Sequence, residues 1–122
     1  MKELKLRFNA ELKHISLVLE ICRLATTDQS SFLLAITEAL NNAVEHSGTA
    51  EIQLELHFSP GEIEAIIITE GVAFDSSQVV GFPAPELQAE GGFGLPIIQH
   101  LSDAMEYSYL NGKNILILKK KI

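Results

Sequence analysis

Residues 51–69 admit one local structure. Ile52, Leu54, Leu56 and Phe58 alternate with Gln53, Glu55 and His57, Ser59-Pro60-Gly61 follows, and Glu62 to Thr69 is rich in isoleucine. Alternation with a period of two places one set of side chains on each face of a strand. Proline then glycine at the break supplies a tight turn. The prediction is a β-hairpin whose return strand, Glu62 to Thr69, is apolar enough to sit in the centre of a sheet. A second hairpin is predicted from Ala104 to Leu110 and Lys113 to Lys120, joined by Asn111-Gly112, a strong type I′ turn signal. Leu4, Leu6 and Phe8 add a short strand over residues 3–8.

Helical periodicity occupies most of the rest. Asn9 is placed to cap a helix running to about Ala25, with Leu12, Ile15, Leu19 and Cys22 as its apolar stripe. Asp28 is placed to cap a second helix from about Gln29 to His46, and Gly48 ends it. Residues 70–93 hold Gly71, Gly81, Pro83, Pro85, Gly91 and Gly92, and a connection this long is expected to serve as a lid or binding loop. Gly94 leads into a third helix, about Leu95 to Ser102, with Pro96 tolerated in its first turn. The order is strand, two helices, two strands, lid, helix, two strands. It predicts an α/β two-layer sandwich: one mixed, mostly antiparallel sheet with helices on one face. The 122 residues suit a single domain, 1–122.

Charge narrows the function. The net charge is -7, and no Lys or Arg lies between Arg23 and Lys113. A nucleic-acid binder needs a basic footprint, so direct nucleic-acid binding is not expected. No apolar run approaches the roughly 20 residues of a membrane span, and the N-terminus has no signal-peptide pattern. A cytoplasmic setting is therefore expected. Cys22 is the single cysteine, lies in an apolar stripe, and reads as a core residue. His14, His57 and His100 lack metal-ligand spacing.

The second helix carries the main functional signal. Glu38, Asn41, Asn42, Glu45 and His46 fall within an arc of about 140°, opposite Phe32, Leu33, Ile36, Ala39, Leu40, Ala43 and Val44. An amphipathic helix with a wet face explains this pattern. A site explains it too, since Asn41-Asn42 is unfavourable in mid-helix and Glu38 and Asn42 stand one turn apart. An Asn oxygen can ligate Mg²⁺, which takes few protein ligands alongside phosphates. A carboxylate one turn earlier can orient a hydroxyl or water for attack on phosphorus. Gly91-Gly92-Phe93-Gly94 either forms a simple turn or offers free amides to phosphate at a helix N-terminus. It is neither a Walker loop nor a Rossmann fingerprint. Asp75 reads as a cap for the segment after it.

The stretch Thr37-Glu38-Ala39-Leu40-Asn41-Asn42-Ala43-Val44-Glu45-His46 resembles the N-box of the GHKL ATPases, the superfamily of histidine kinases, Hsp90, gyrase B and MutL. The short chain is similar to the anti-sigma-factor branch, the RsbW and SpoIIAB type of serine/threonine protein kinase. The resemblance implies the Bergerat ATP-binding fold, ATP and Mg²⁺ as ligands, and a general-base role for Glu38. It implies Asn42 as the Mg²⁺ ligand, with Asn41 and His46 at the pocket edge. Gly71 matches the first glycine of the Asp-x-Gly-x-Gly box, and Phe74 and Asp75 match the Phe-Asp that follows it. Gly92, Gly94 and Leu95 match the Gly-x-Gly-Leu box that approaches the phosphates. Implied partners are a sigma factor, an anti-anti-sigma antagonist, or both, and the implied assembly is a homodimer.

The chain departs from that pattern in three places. Thr69 stands where the box has the aspartate that accepts the adenine amino group. Ala73 stands where it has its second glycine. Residues 76–93 bring Glu86 and Glu90 and no Lys or Arg. Two functions are therefore expected as alternatives. One is a regulator that binds Mg-ATP and transfers phosphate to a serine or threonine of a protein antagonist. The other is a catalytically inactive partner-switch module with weak or no nucleotide binding.

Overall fold

The computed structural model of the chain describes residues 2–26, 30–46, 51–71, 98 and 101–121. In chain order the elements are β1 (Lys2–Asn9), α1 (Leu12–Thr26), α2 (Ser30–His46), β2 (Glu51–Ser59), β3 (Glu62–Glu70), β4 (Ala104–Leu110) and β5 (Lys113–Lys121). The strands form one sheet in the order β1-β2-β3-β5-β4. Every pairing among them is antiparallel. Both predicted hairpins are present, and the isoleucine-rich strand is central.

The register explains why the helices cover one face. Leu4, Leu6 and Phe8 pair with Leu56, Leu54 and Ile52, which pair in turn with Ala65, Ile67 and Thr69. Those three lie opposite Leu118, Leu116 and Asn114. This set shares one face, and from β2 to β5 it is buried. Against it pack Ile15, Val18 and Cys22 of α1, Phe32, Ala35, Ile36, Ala39, Leu40 and Ala43 of α2, and Ile98, in one apolar cluster. Each fully buried Leu, Ile or Phe contributes about 1.5–3 kcal/mol relative to exposure. The result is the two-layer α/β sandwich that the element order predicts.

Two local expectations are corrected or narrowed. Asn9 does not cap α1. It closes β1, paired with Glu51, and the helix starts at Leu12. The Asn9 carbonyl accepts the Glu11 N–H at 2.8 Å, and the His14 N–H donates to the Glu11 carbonyl at 3.0 Å. The strand pairing of Asn9 outweighs its capping preference, so the chain turns two residues later. Of the predicted third helix, Ile98 and Leu101 have helical backbone and Ser102 does not. The rest of 95–102, and the predicted lid from 72 to 93, lie outside the described residues.

The β4–β5 turn has the geometry its sequence demands. Asn111 has φ 54° and Gly112 φ 76°, both positive as a type I′ turn requires. A Cβ at Gly112 would meet nothing within 4 Å, so substitution there costs backbone strain alone. Gly112→Ala is expected to lower stability by about 1–2 kcal/mol, measured by urea unfolding, with unchanged far-ultraviolet circular dichroism.

Cys22 is fully buried, and burial pushes its thiol up to about 11 from 9.0. The unfolded chain therefore loses this proton first as the solution becomes alkaline. The contribution is intact below about pH 9 and is lost as pH rises towards about 11. Thiol labelling at neutral pH should be slow in the folded protein and fast in denaturant. Equal rates would show that Cys22 is accessible.

Candidate functional site

α2 is held by its apolar side. Phe32, Ala35, Ile36, Ala39, Leu40 and Ala43 are buried, and Leu33 and Val44 pack partly against the core. This fixes the rotation of the helix. Glu38, Asn41 and Asn42 all lie off the core side and all are half-buried. A freely solvated stripe would be exposed throughout, as Ser31 and Leu34 are at the start of the same helix. Thr37, next to Glu38, donates its hydroxyl to the Leu33 carbonyl at 2.8 Å and stays within its own helix. His46 closes the helix.

The second part of the site lies at the end of the sheet nearest the β4–β5 turn. Thr69 is the last inward-facing residue of β3 and is 2% exposed. It pairs across the sheet with Asn114, which is 1% exposed. Tyr107 donates its hydroxyl to Asn114 Oδ1 at 2.5 Å. Thr69 Oγ1 is shut away from solvent and has no hydrogen-bond partner among the described residues. A buried hydroxyl without a partner costs roughly 1–3 kcal/mol. A protein keeps such a group when something else requires it.

Gly71 begins the loop after β3. Its N–H donates to the Gly112 carbonyl at 3.1 Å, and its own carbonyl accepts the Tyr109 hydroxyl at 2.7 Å. Its φ of 147° lies in a region that side-chain-bearing residues rarely adopt. Thus the first loop residue is clamped to the β4–β5 hairpin from both of its backbone groups, and glycine is the residue that permits it.

The predicted site residues therefore divide. Glu38, Asn41 and Asn42 share the half-buried side of α2, and Thr69 and Gly71 stand together at the end of β3. α2 packs on β3, so both sets belong to elements in contact. Ala73, Phe74, Gly92, Gly94 and Leu95 lie outside the described residues, as does the His46 side chain. Asn114, Tyr107 and Tyr109 escape the sequence reading. Their signal was available: alternation along Lys113 to Lys121 puts Asn114 on the same face as Leu116 and Leu118.

The corner has a definite chemical character. Thr69, Asn114, Tyr107 and Tyr109 are uncharged hydrogen-bonding groups. Among the described residues, no three His, Cys, Asp or Glu side chains cluster as a metal site. No described helix is long and apolar enough to cross a membrane.

Comparison with known proteins places this arrangement. Residues 9–120 match the histidine kinase-like ATPase domain. No curated protein sequence matches significantly. Among solved structures, a Mycobacterium tuberculosis protein, determined as its RsbU and RsbW domains, superposes with a TM-score of 0.70 at 18% identity. The superposition covers 98% of this chain and 32% of that one, so the chain spans about a third of the length of its structural relative. The antiparallel sheet with helices on one face is consistent with the Bergerat-type fold that the resemblance implies. A match across nearly all of its residues, on a sheet-and-helix frame of this order, makes the chain a member of the histidine kinase-like ATPase domain family.

Proposed function

We propose that this chain is an ATP-binding regulator of the anti-sigma kinase type, which transfers phosphate to a serine or threonine of a protein antagonist. The observation that carries this reading is the pairing of Glu38 and Asn42, one turn apart on the half-buried side of a helix anchored to the central strand. The Glu38 carboxylate would accept the proton of the attacking hydroxyl. The Asn42 amide oxygen would hold Mg²⁺, with Asn41 and His46 beside it at the pocket edge. Magnesium, when bound, supplies the positive charge that offsets the phosphates. That contribution matters here, because no Lys or Arg lies between Arg23 and Lys113. Gly92 and Gly94 would turn backbone N–H groups to the phosphates, with Leu95 behind them.

The corner at the end of β3 fits a nucleobase edge. Thr69 Oγ1 has no hydrogen-bond partner among the described residues, it can both donate and accept, and a ring edge would satisfy it. Gly71 allows backbone close to that ring, and Ala73 and Phe74 would follow along its side. A neutral hydroxyl holds an amino group more weakly than a carboxylate does. A charge-assisted bond is worth about 1.5–3 kcal/mol, which corresponds to roughly ten- to hundredfold in affinity.

A second reading follows from the same residue. Thr69 in place of a carboxylate, with a cation-free stretch after it, also suits a partner-switch module that binds a sigma factor or its antagonist without turnover. Pull-down of such a partner with and without Mg-ATP separates the two. Strict nucleotide dependence favours the kinase reading, and indifference to nucleotide favours the module.

Titration calorimetry with Mg-ATP is expected to show saturable binding, weakened by Asn42→Ala. Absence of heat at millimolar nucleotide would defeat the proposal. Glu38→Ala should abolish phosphate transfer while leaving binding intact, read with radiolabelled ATP and a candidate antagonist.

Thr69 makes a separate prediction with opposite signs in two assays. Thr69→Val should stabilise the free protein by about 1 kcal/mol and weaken nucleotide binding. Thr69→Asp should destabilise the free protein and strengthen Mg-ATP binding by about tenfold or more. Parallel changes in both assays would mean that Thr69 is structural.

A further inference from the structure

Among the described residues two polar side chains are buried, Thr69 and Asn114, and they pair across the sheet on its helix-covered face. Neither carries a charge. They belong to one row, with Ile52 beside Thr69 on β2 and Tyr109 beside Asn114 on β4. The charged residues next along these strands, Glu51, Glu70 and Lys113, alternate to the opposite face and are exposed.

What a buried group recognises follows from its donors and acceptors. Asn114 Oδ1 accepts the Tyr107 hydroxyl. Thr69 Oγ1 is shut away from solvent with no hydrogen-bond partner among the described residues. A hydroxyl rotates to suit its neighbour, so it donates one hydrogen bond and also accepts. An ionised carboxylate in the same place would only accept. The six-position of a purine presents one of two opposite groups. An amino group there donates, and a carbonyl accepts. The adjacent ring nitrogen changes with it, from a lone pair beside the amino group to an N–H beside the carbonyl.

We propose that this corner takes purine nucleotides without selecting between a six-amino and a six-oxo ring. Thr69 Oγ1 accepts from the amino group of ATP and donates to the carbonyl of ITP. No buried charge among the described residues favours one edge over the other. Specificity is a difference of affinities, and a neutral group that pairs with both edges leaves that difference small. The proposal rests on the corner being a nucleobase site and adds the class of base that it takes.

Titration calorimetry with three magnesium nucleotides tests it: ATP, ITP, and purine riboside triphosphate, which has only hydrogen at the six-position. The unaltered chain should bind ATP and ITP within about fivefold of each other, and purine riboside triphosphate about tenfold more weakly. Thr69→Val, close in shape, should weaken ATP and ITP about tenfold each and leave purine riboside triphosphate unchanged. A residue that only shapes the pocket would move all three together. Thr69→Asp should tighten ATP and weaken ITP, opening a ratio of about a hundredfold between them. Circular dichroism checks that the variants are folded, and Thr69→Val carries the test if Thr69→Asp is not. A preference of more than about fivefold between ATP and ITP in the unaltered chain overturns the proposal and leaves the nucleotide site standing. So does a Thr69→Val effect that is absent, or equal for all three nucleotides. Absence of binding for all three overturns the proposal together with the nucleotide site.

Discussion

β3 has an antiparallel partner on each edge, from Glu62 to Thr69 with β2 and β5 alike. The two ladders lock its register, and the register decides what every other element meets. A slip by one residue would turn Ile63, Ala65 and Ile67 outwards and bring Glu62 and Glu64 into the core. Burying unpaired carboxylates there is costly enough to forbid the alternative. α2 packs on the strand so placed, and its apolar side then fixes where Glu38 and Asn42 point.

The same register drives two polar side chains inwards at one end of β3 and β5. Asn114 is held by Tyr107, whereas Thr69 Oγ1 has no partner among the described residues. Along the inward positions of β3, local patterning and global fold agree until the last of them, Thr69. Conflicts of that kind concentrate at functional sites, where a stabilising residue gives way to one that meets a ligand. Under the proposed function, the corner would meet the edge of a ring, and the polar side of α2 would meet magnesium and phosphate.

Much of this was readable in the residues. Alternation at Ile52 to Phe58, the Pro60-Gly61 break and Asn111-Gly112 dictate their hairpins by local geometry alone. The stripe of α2 specified which side it buries, because a period of 3.6 leaves little freedom once seven positions on one side are apolar. Asn9 misled because two local preferences compete there, and strand pairing with Glu51, a residue remote in sequence, decides between them. Asn114 was legible in principle from its phase with Leu116 and Leu118. Its partner Tyr107 alternates in phase with Met105 on β4, but the hydrogen bond between them exists only once the β4–β5 hairpin has set the register. The isoleucines of β3 were visible as composition, but their register against Ile115 and Ile117 exists only after β3 and β5 are paired.

The clamp on Gly71 has an optical consequence. The chain has no tryptophan and two tyrosines, Tyr107 and Tyr109. One hydroxyl binds Asn114 and the other binds the Gly71 carbonyl. The intrinsic ultraviolet fluorescence of the protein therefore arises from this single corner, without any label. Whatever disturbs the start of the loop or fills the space beside Thr69 changes the environment of the chromophores themselves. The molecule carries its own reporter beside Thr69.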